Sequence, residues 1–275
     1  MVKSVQVMKM SDIKHEDVLF FQRATYKNPH RMIQAHYHEV HELYYLEKGK
    51  TKYFIGDEIF LLEPGDMVFV PKQVFHKTDT EDTSNVRRLL FSFDDDFAGN
   101  PQYIEELKKN KFIRIPPDKL YKLQNIFWQI EEEERQKDEG FAEIQKLLFK
   151  QMLILISRYC SPQNKKLLDE STMFVQKIAK YISENYDSDL SLDMLSKNFS
   201  VSPYHLSRMF KGVTGIGLSE YINICRVTAA EKLLTTKKLT VTQVATACGF
   251  NDSNYFAAVF KKIKGITPKK YSMKK

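Results

Sequence analysis

Cysteine, tryptophan and long apolar runs are all scarce in this chain. Of its 275 residues, three are cysteine and one is tryptophan. Cys160, Cys225 and Cys248 are odd in number, widely spaced and without metal-site spacing. That argues against a disulfide framework and a zinc ribbon, and a reducing compartment suits it. The longest apolar stretches, such as 152–156, fall far short of the roughly 20 residues that a membrane-spanning helix needs. The opening residues lead into a mixed polar segment with no apolar signal-peptide core. The expectation is a cytoplasmic protein with no membrane partner. A hydrophobic content of 43% excludes a disordered chain. The length implies about two domains of roughly 100–200 residues each.

Charge is unevenly placed. Residues 171–275 hold 16 basic and 7 acidic side chains, a net of +9, whereas residues 1–170 hold 26 and 28, a net of −2. A basic block on a near-neutral remainder points to a polyanionic partner, usually nucleic acid, although basic surface also aids solubility.

The residue pattern changes twice along the chain. From about Phe20 to Phe93, short aromatic and β-branched runs (42–47, 51–55, 59–62, 67–70 and 89–93) are separated by Gly, Pro and Asp turns. This is the pattern of an antiparallel barrel or sandwich. After about Pro101 the period becomes helical: Leu120, Leu123, Phe127 and Ile130 form one stripe, and Ile144, Leu147, Leu148, Met152, Leu155, Ile156 and Tyr159 form a second. The Glu131–Glu134 run between them reads as a solvated helix end. Residues 161–166 make a polar, Pro-bearing linker, and from Ser171 onward the pattern is helical in short pieces. The expected fold class is therefore α+β. It comprises an antiparallel β-barrel over 1–100, a helical connector over 101–165 that is a candidate for dimerisation, and an all-α domain over 171–275.

That all-α tail contains two helix-turn-helix candidates. In the first, a short helix begins at Leu192 and residues 198–201 turn. Ser202-Pro203 then opens a second helix with a favoured N-cap and a proline at the first helical position. Leu206, Met209 and Phe210 should face its core, leaving Tyr204, His205, Ser207, Arg208 and Lys211 outward. In the second candidate, residues 241–245 lead to Ala247-Cys248-Gly249-Phe250, where Gly249 provides the positive φ of a tight turn. Residues 253–262 follow as the other reading helix, with Phe256, Val259 and Phe260 inward. A longer helix over 219–234 joins the two.

Ala247-Cys248-Gly249-Phe250, Tyr255-Phe256, Phe260-Lys261-Lys262 and Gly265-Ile266-Thr267-Pro268-Lys269-Lys270-Tyr271 together resemble the signature of AraC/XylS-type transcription regulators, over about 171–271. The resemblance implies that each second helix enters a major groove, on one DNA face about one helical turn apart. By position in the motif, Tyr204, Ser207 and Arg208 look like base readers in the first unit, with Ser253, Asn254 and Ala258 in the equivalent places of the second. Arg208 suits a guanine, whose O6 and N7 match a guanidinium fork. Lys211, Lys261 and Lys262 are phosphate candidates. Ala257-Ala258 departs from the pattern with short side chains, so the second unit is expected to lean more on phosphates.

The densest cluster of ligand-type side chains is His36-Tyr37-His38-Glu39-Val40-His41-Glu42. On an unbroken strand His36, His38 and Glu42 share a face and His41 takes the other. His36, His38, Glu42 and Gly49, followed by Gly65, Pro71 and His76, resemble the two motifs of the cupin family, with Gln73 where glycine is usual. Three imidazoles and a carboxylate inside a barrel suit a divalent transition metal. The same four residues also suit an effector pocket or hydrogen bonds within the barrel. The barrel's many aromatics favour a carbohydrate or another small polar metabolite as effector, with an apolar one such as a fatty acid as the competitor.

The expectation is thus a sequence-specific DNA-binding regulator controlled by a small-molecule effector, with no catalytic residues and no obligatory cofactor. Its expected partners are double-stranded DNA, the effector, a second copy of the chain and RNA polymerase. The alternative is a metal-dependent cupin enzyme carrying a DNA-binding tail.

Overall fold

The structure is a computed structural model that describes residues 19–26, 36–79, 85–159, 168–236 and 239–273. The expected linker over 161–166 and Cys160 lie outside the described residues. Two compact units emerge from the chain's contacts. Among the described residues, one holds 19–26, 36–53, 60–79 and 85–159, and the other holds 54–59, 168–236 and 239–273.

The N-terminal strands are β1 (Phe20–Tyr26), β2 (His41–Lys48), β3 (Thr51–Ile55), β4 (Glu58–Leu62), β5 (Asp66–Val70), β6 (His76–Asp79) and β7 (Val86–Phe93). They form a five-stranded sheet in the order β1-β7-β2-β5-β8 and a three-stranded sheet in the order β4-β3-β6, where β8 is Phe112–Arg114. The pairings β1–β7, β2–β7, β2–β5 and β5–β8 are all antiparallel, with Leu43 opposite Phe69 and Phe91. Gly49, Gly56 and Gly65 take positive φ in the turns between strands, where a side chain would be strained. Asp66 fixes the sheet edge by accepting two hydrogen bonds from Arg114, at 2.6 Å each.

Two short helices, α1 (Asp95–Ala98) and α2 (Pro101–Lys109), precede β8, and α3 (Pro117–Gln136) and α4 (Phe141–Tyr159) follow it. Leu123, Phe127 and Ile130 of α3 and Phe149, Met152 and Ile156 of α4 join Leu43, Phe69, Phe91 and Phe93 in one core. That places the two helical stripes against the five-stranded sheet. The α4 stripe is only partly buried, because Ile144 is 42% and Leu147 67% exposed. Glu131–Glu134 is not a freely solvated end either: all four are half-buried, Glu131 pairs with Arg23, and Glu134 accepts from Gln145.

The second unit holds α5 (Glu170–Glu184), α6 (Leu192–Asn198), α7 (Pro203–Thr214), α8 (Leu218–Thr236), α9 (Val241–Ala247), α10 (Ser253–Lys264) and α11 (Pro268–Ser272). Each short helix begins on a side-chain cap. Ser191, Ser202, Thr240, Asp252 and Thr267 each accept a backbone N–H of the first turn. The residue that caps α10 is Asp252, and Ser253 is its first helical residue, the place Pro203 holds on α7, so Ser253 is not the positional counterpart of Tyr204, Ser207 or Arg208 as the motif comparison implied. Gly215 and Gly265 end α7 and α10 in the left-handed region, at φ +75° and +73°. Phe210 and Phe256 are wholly buried, as are Leu206 and Phe260, while Met209 and Val259 are half-buried. Among the described residues no helix is long and apolar enough to cross a membrane.

Candidate functional site

Two sites stand out, one in each unit. The first is the histidine cluster. The chain from Tyr37 to Val40 is not a strand, so the even spacing of His36, His38 and Glu42 does not bring them together in the way the sequence implied. His36 is instead tied to His76 by a two-way backbone bridge, with N···O distances of 3.1 and 2.9 Å. His38 sits in the bend just before β2 and faces Glu42 across 3.2 Å. The three rings of His36, His38 and His76 lie 4.4 to 5.8 Å apart, centroid to centroid, and their ligand nitrogens fall within 4.8 Å of one another. His41 points the other way, stacked on Phe69, and faces Asp95 at 2.8 Å.

Hydrogen bonding fixes how these rings are presented. A carbonyl can only accept, so His38 donates its Nδ1–H to Val40 O at 2.7 Å and His76 donates its Nδ1–H to Val74 O at 2.9 Å. Both rings therefore direct Nε2 inward. His38 Nε2 meets the Glu42 carboxylate, which also accepts from the wholly buried Tyr53 hydroxyl at 2.7 Å. Burial alone would lower His38, but the hydrogen bond and charge of Glu42 raise its pKa above the ordinary histidine value. Glu42 is held well below the ordinary carboxylate range: burial opposes this, and the hydrogen bonds from His38 and Tyr53 outweigh it. His76 is pushed down to about 3, chiefly by burial, and is neutral at ordinary pH. Its Nε2 is buried and has no hydrogen-bond partner. Gln73 takes a left-handed backbone, φ +63°, which explains why the cupin motif usually places glycine there. Its N–H donates to His38 O at 2.7 Å, tying the bend to the loop before β6.

The second site is the outer face of α7 and α10. Tyr204 is 75% exposed, and His205, Arg208 and Lys211 are exposed beside it, with Ser207 half-buried. On α10, Asn254, Ala258, Lys261 and Lys262 are exposed and Ser253 is half-buried. Tyr204, Arg208, Lys211, Asn254, Ala258, Lys261 and Lys262 thus lie on the outward side of their helices, whereas Ser207 and Ser253 are partly covered. Tyr255, 55% exposed, belongs on the same face. In the sequence it is part of the family signature, and its place on α10 makes it the counterpart of His205 on α7. Its hydroxyl accepts from Asn223 Nδ2 at 3.1 Å, which leaves the phenolic proton available to a ligand. Neither Tyr53 nor the carbonyls of Val40 and Val74 has a motif of its own in the sequence.

Comparison with known proteins bears on both sites. Residues 195–274 match the helix-turn-helix domain family and residues 25–92 match the cupin domain family, so both sites fall within the matched segments. The chain belongs to the AraC/XylS family of transcription regulators. It is 25% identical over 261 residues to the HTH-type transcriptional activator RhaR of Mannheimia succiniciproducens, covering 94% of this chain and 93% of that one. It is 24% identical to the activator RhaS of Escherichia coli, covering 85% of each. The C-terminal domain of the two-component response regulator yesN from Fusobacterium nucleatum is 38% identical, with 35% of this chain and 95% of that one covered and a TM-score of 0.34. The protein is a DNA-binding transcription regulator that carries a cupin domain in its N-terminal part.

Proposed function

We propose that this AraC/XylS regulator binds a small polar effector of the carbohydrate class at His36, His38, Glu42 and His76, and reads DNA with α7 and α10. The observation that carries the pocket is the lone pair on His76 Nε2. It is fully buried, has no hydrogen-bond partner, and faces Glu42 Oε2 across 4.0 Å. Leaving such an atom unsatisfied is costly, so a bound group that pairs with it gains that energy back.

The donor set also fits a divalent transition metal, because backbone carbonyls fix the outer nitrogens of His38 and His76, as they do for metal-bound histidines. His36, His38 and His76 would hold it, with Glu42 beside them, and it would supply a Lewis-acidic site for effector oxygens. Tyr53 holds Glu42 in place whether or not a metal is present. The pocket is proposed to sense and not to turn over substrate. Supporting this, the alignments to proteins named as transcriptional activators run over 85–94% of the chain.

On DNA, Arg208 is assigned to a guanine, and Tyr204, Ser207, Ser253 and Asn254 to base edges. Lys211, Lys261 and Lys262 are assigned to phosphates. Exposed Tyr121, Trp128 and Leu147 on the α3–α4 connector support a homodimer through that element. The activator names of the relatives support activation, with contact to RNA polymerase. Effector acts by binding one arrangement of the protein more tightly than another.

The test is purification of the full chain, metal analysis, and DNA binding titrated against a panel of monosaccharides. The reading expects one sugar to change DNA affinity. It also expects His38→Ala to abolish that response while basal DNA binding stays within about twofold. A His38→Ala protein that responds with unchanged sensitivity would rule out this pocket.

A further inference from the structure

The two reading helices are useful together only if their spacing is held. Helix α8 runs between the helix-turn-helix units, but one helix contacting each unit separately leaves either free to tilt. The structure adds a third contact. Arg226, on α8, donates from Nε to Tyr186 O at 2.8 Å and from Nη2 to Ser188 O at 2.9 Å. Tyr186 and Ser188 lie in the loop between α5 and α6, which leads into the first unit. The same guanidinium lies 5.5 Å from the ring centroid of Phe250, in the turn of the second unit. In that turn Gly249 abuts the same loop. A Cβ at Gly249 would lie 2.8 Å from Tyr186 O and 2.9 Å from Asp187 Cα. Three elements distant in sequence therefore meet around one side chain.

We propose that Arg226, with the Gly249–Phe250 turn packed beside it, is the positioning residue that locks the two helix-turn-helix units at a fixed spacing on DNA. The planar guanidinium is suited to this task. It donates in two directions while its central carbon lies over an aromatic ring, and an ammonium cannot do all three. Gly249 has a second reason to be glycine besides its φ of +79°, since any side chain there would force the loop and the turn apart.

The consequence lies in effective concentration. Once α7 is seated, a rigid joint presents α10 to the next groove already aligned, whereas a loose one spreads it over many orientations. This inference rests on both helices reading DNA.

The test uses the full chain and a duplex selected by it from random-sequence DNA, with derivatives in which one half-site is scrambled or the spacing is changed by one base pair. Arg226→Lys keeps the charge and the stem but loses the fork, and Phe250→Leu removes the ring. Each is expected to weaken binding to the intact duplex about tenfold. Binding to the half-scrambled duplexes should change less than twofold, and the preference for the selected spacing should drop to under half. Equal weakening on all duplexes with the spacing preference intact would overturn the proposal, as would no weakening. If the two-helix reading itself is wrong, scrambling one half-site will leave wild-type affinity unchanged, which is a different failure.

Discussion

Lys264 and Glu231 form a buried ion pair that ties the end of α10 to α8, and removing one partner should cost far more than removing both. Their side chains are 4% and 6% exposed, with Nζ 2.5 Å from Oε1. Glu231 also accepts from the Tyr271 hydroxyl at 2.8 Å. Lys264→Met removes one side of this buried pair, which typically costs about 3–5 kcal/mol. Replacing the pair together, Lys264→Met with Glu231→Gln, removes both charges and still leaves Tyr271 an acceptor. That double variant should lie within about 1–2 kcal/mol of wild type. For a domain of this size about 1 kcal/mol moves the melting point by roughly 4–8 °C, so the single variant should melt more than about 12 °C lower. Thermal and urea unfolding give the totals, and hydrogen exchange in α8 and α10 assigns the loss to this unit. The double-mutant cycle should return a coupling of at least about 2 kcal/mol. If Lys264→Met costs less than about 1 kcal/mol, the pair behaves as a solvated surface bridge and the reasoning fails.

Three further outcomes are expected. DNA affinity should fall with salt at a log–log slope of about −0.9 per phosphate neutralised, and a flat response would remove the electrostatic role of the +9 tail. Arg208→Ala should cost about 1–3 kcal/mol on the selected duplex and much less on random DNA, whereas Lys261→Ala should weaken both alike in competition titrations. In chelator-treated protein, protonation of His38 is favoured in the folded state. Its contribution is therefore complete below the ordinary value of 6.5 and is lost as pH rises through the raised one. His76 works oppositely and by more: it is held neutral down to about pH 3, so stability drops as pH falls below 6.5, by up to about 1.4 kcal/mol per unit. The urea midpoint of the metal-free barrel should thus be lower at pH 5 than at pH 7, and a rise would contradict the burial argument.

Much of this was legible in the sequence because the signals are local. A strand of five residues between glycine turns, a stripe such as Leu123-Phe127-Ile130, and a Ser-Pro helix start each declare themselves within a few residues. What escaped depends on contacts between distant segments. β8 has three residues, too few for any period, and exists because Ile113 pairs with Met67 on β5. Helices α1 and α2 hide behind three consecutive aspartates that look like a break, although Asp94 is a cap that accepts from Phe97 N. In the histidine cluster the residue types were readable, but the geometry invoked for them was not the one the chain uses. They meet because the chain bends before β2 and because the His36–His76 bridge closes the gap, neither of which follows from spacing along a strand.

The two helix-turn-helix units show which parts of a sequence are bound by backbone physics and which are free. Ser202 and Asp252 cap equivalent helices, Leu206 and Phe256 fill the same core position, as do Phe210 and Phe260, and Gly215 and Gly265 end both in the left-handed region. Each of these positions answers a requirement that holds whatever the DNA sequence: an orphan N–H, a hole in the core, a positive φ. The outward positions answer only to the ligand, and there the units differ. His205 stands opposite Tyr255, Arg208 opposite Ala258, and Gly212 opposite Lys262. A guanidinium fork on α7 and a methyl group at the matching place on α10 cannot recognise the same base edge. The extra lysine on α10 is assigned above to phosphate, which is identical at every step. If both helices read DNA as proposed, the two halves of the site are not equivalent to the protein. On the proposed assignment of both helices to DNA, information is concentrated under α7 and adhesion under α10, and one chain carries an intrinsic direction along the duplex even before a second copy is considered.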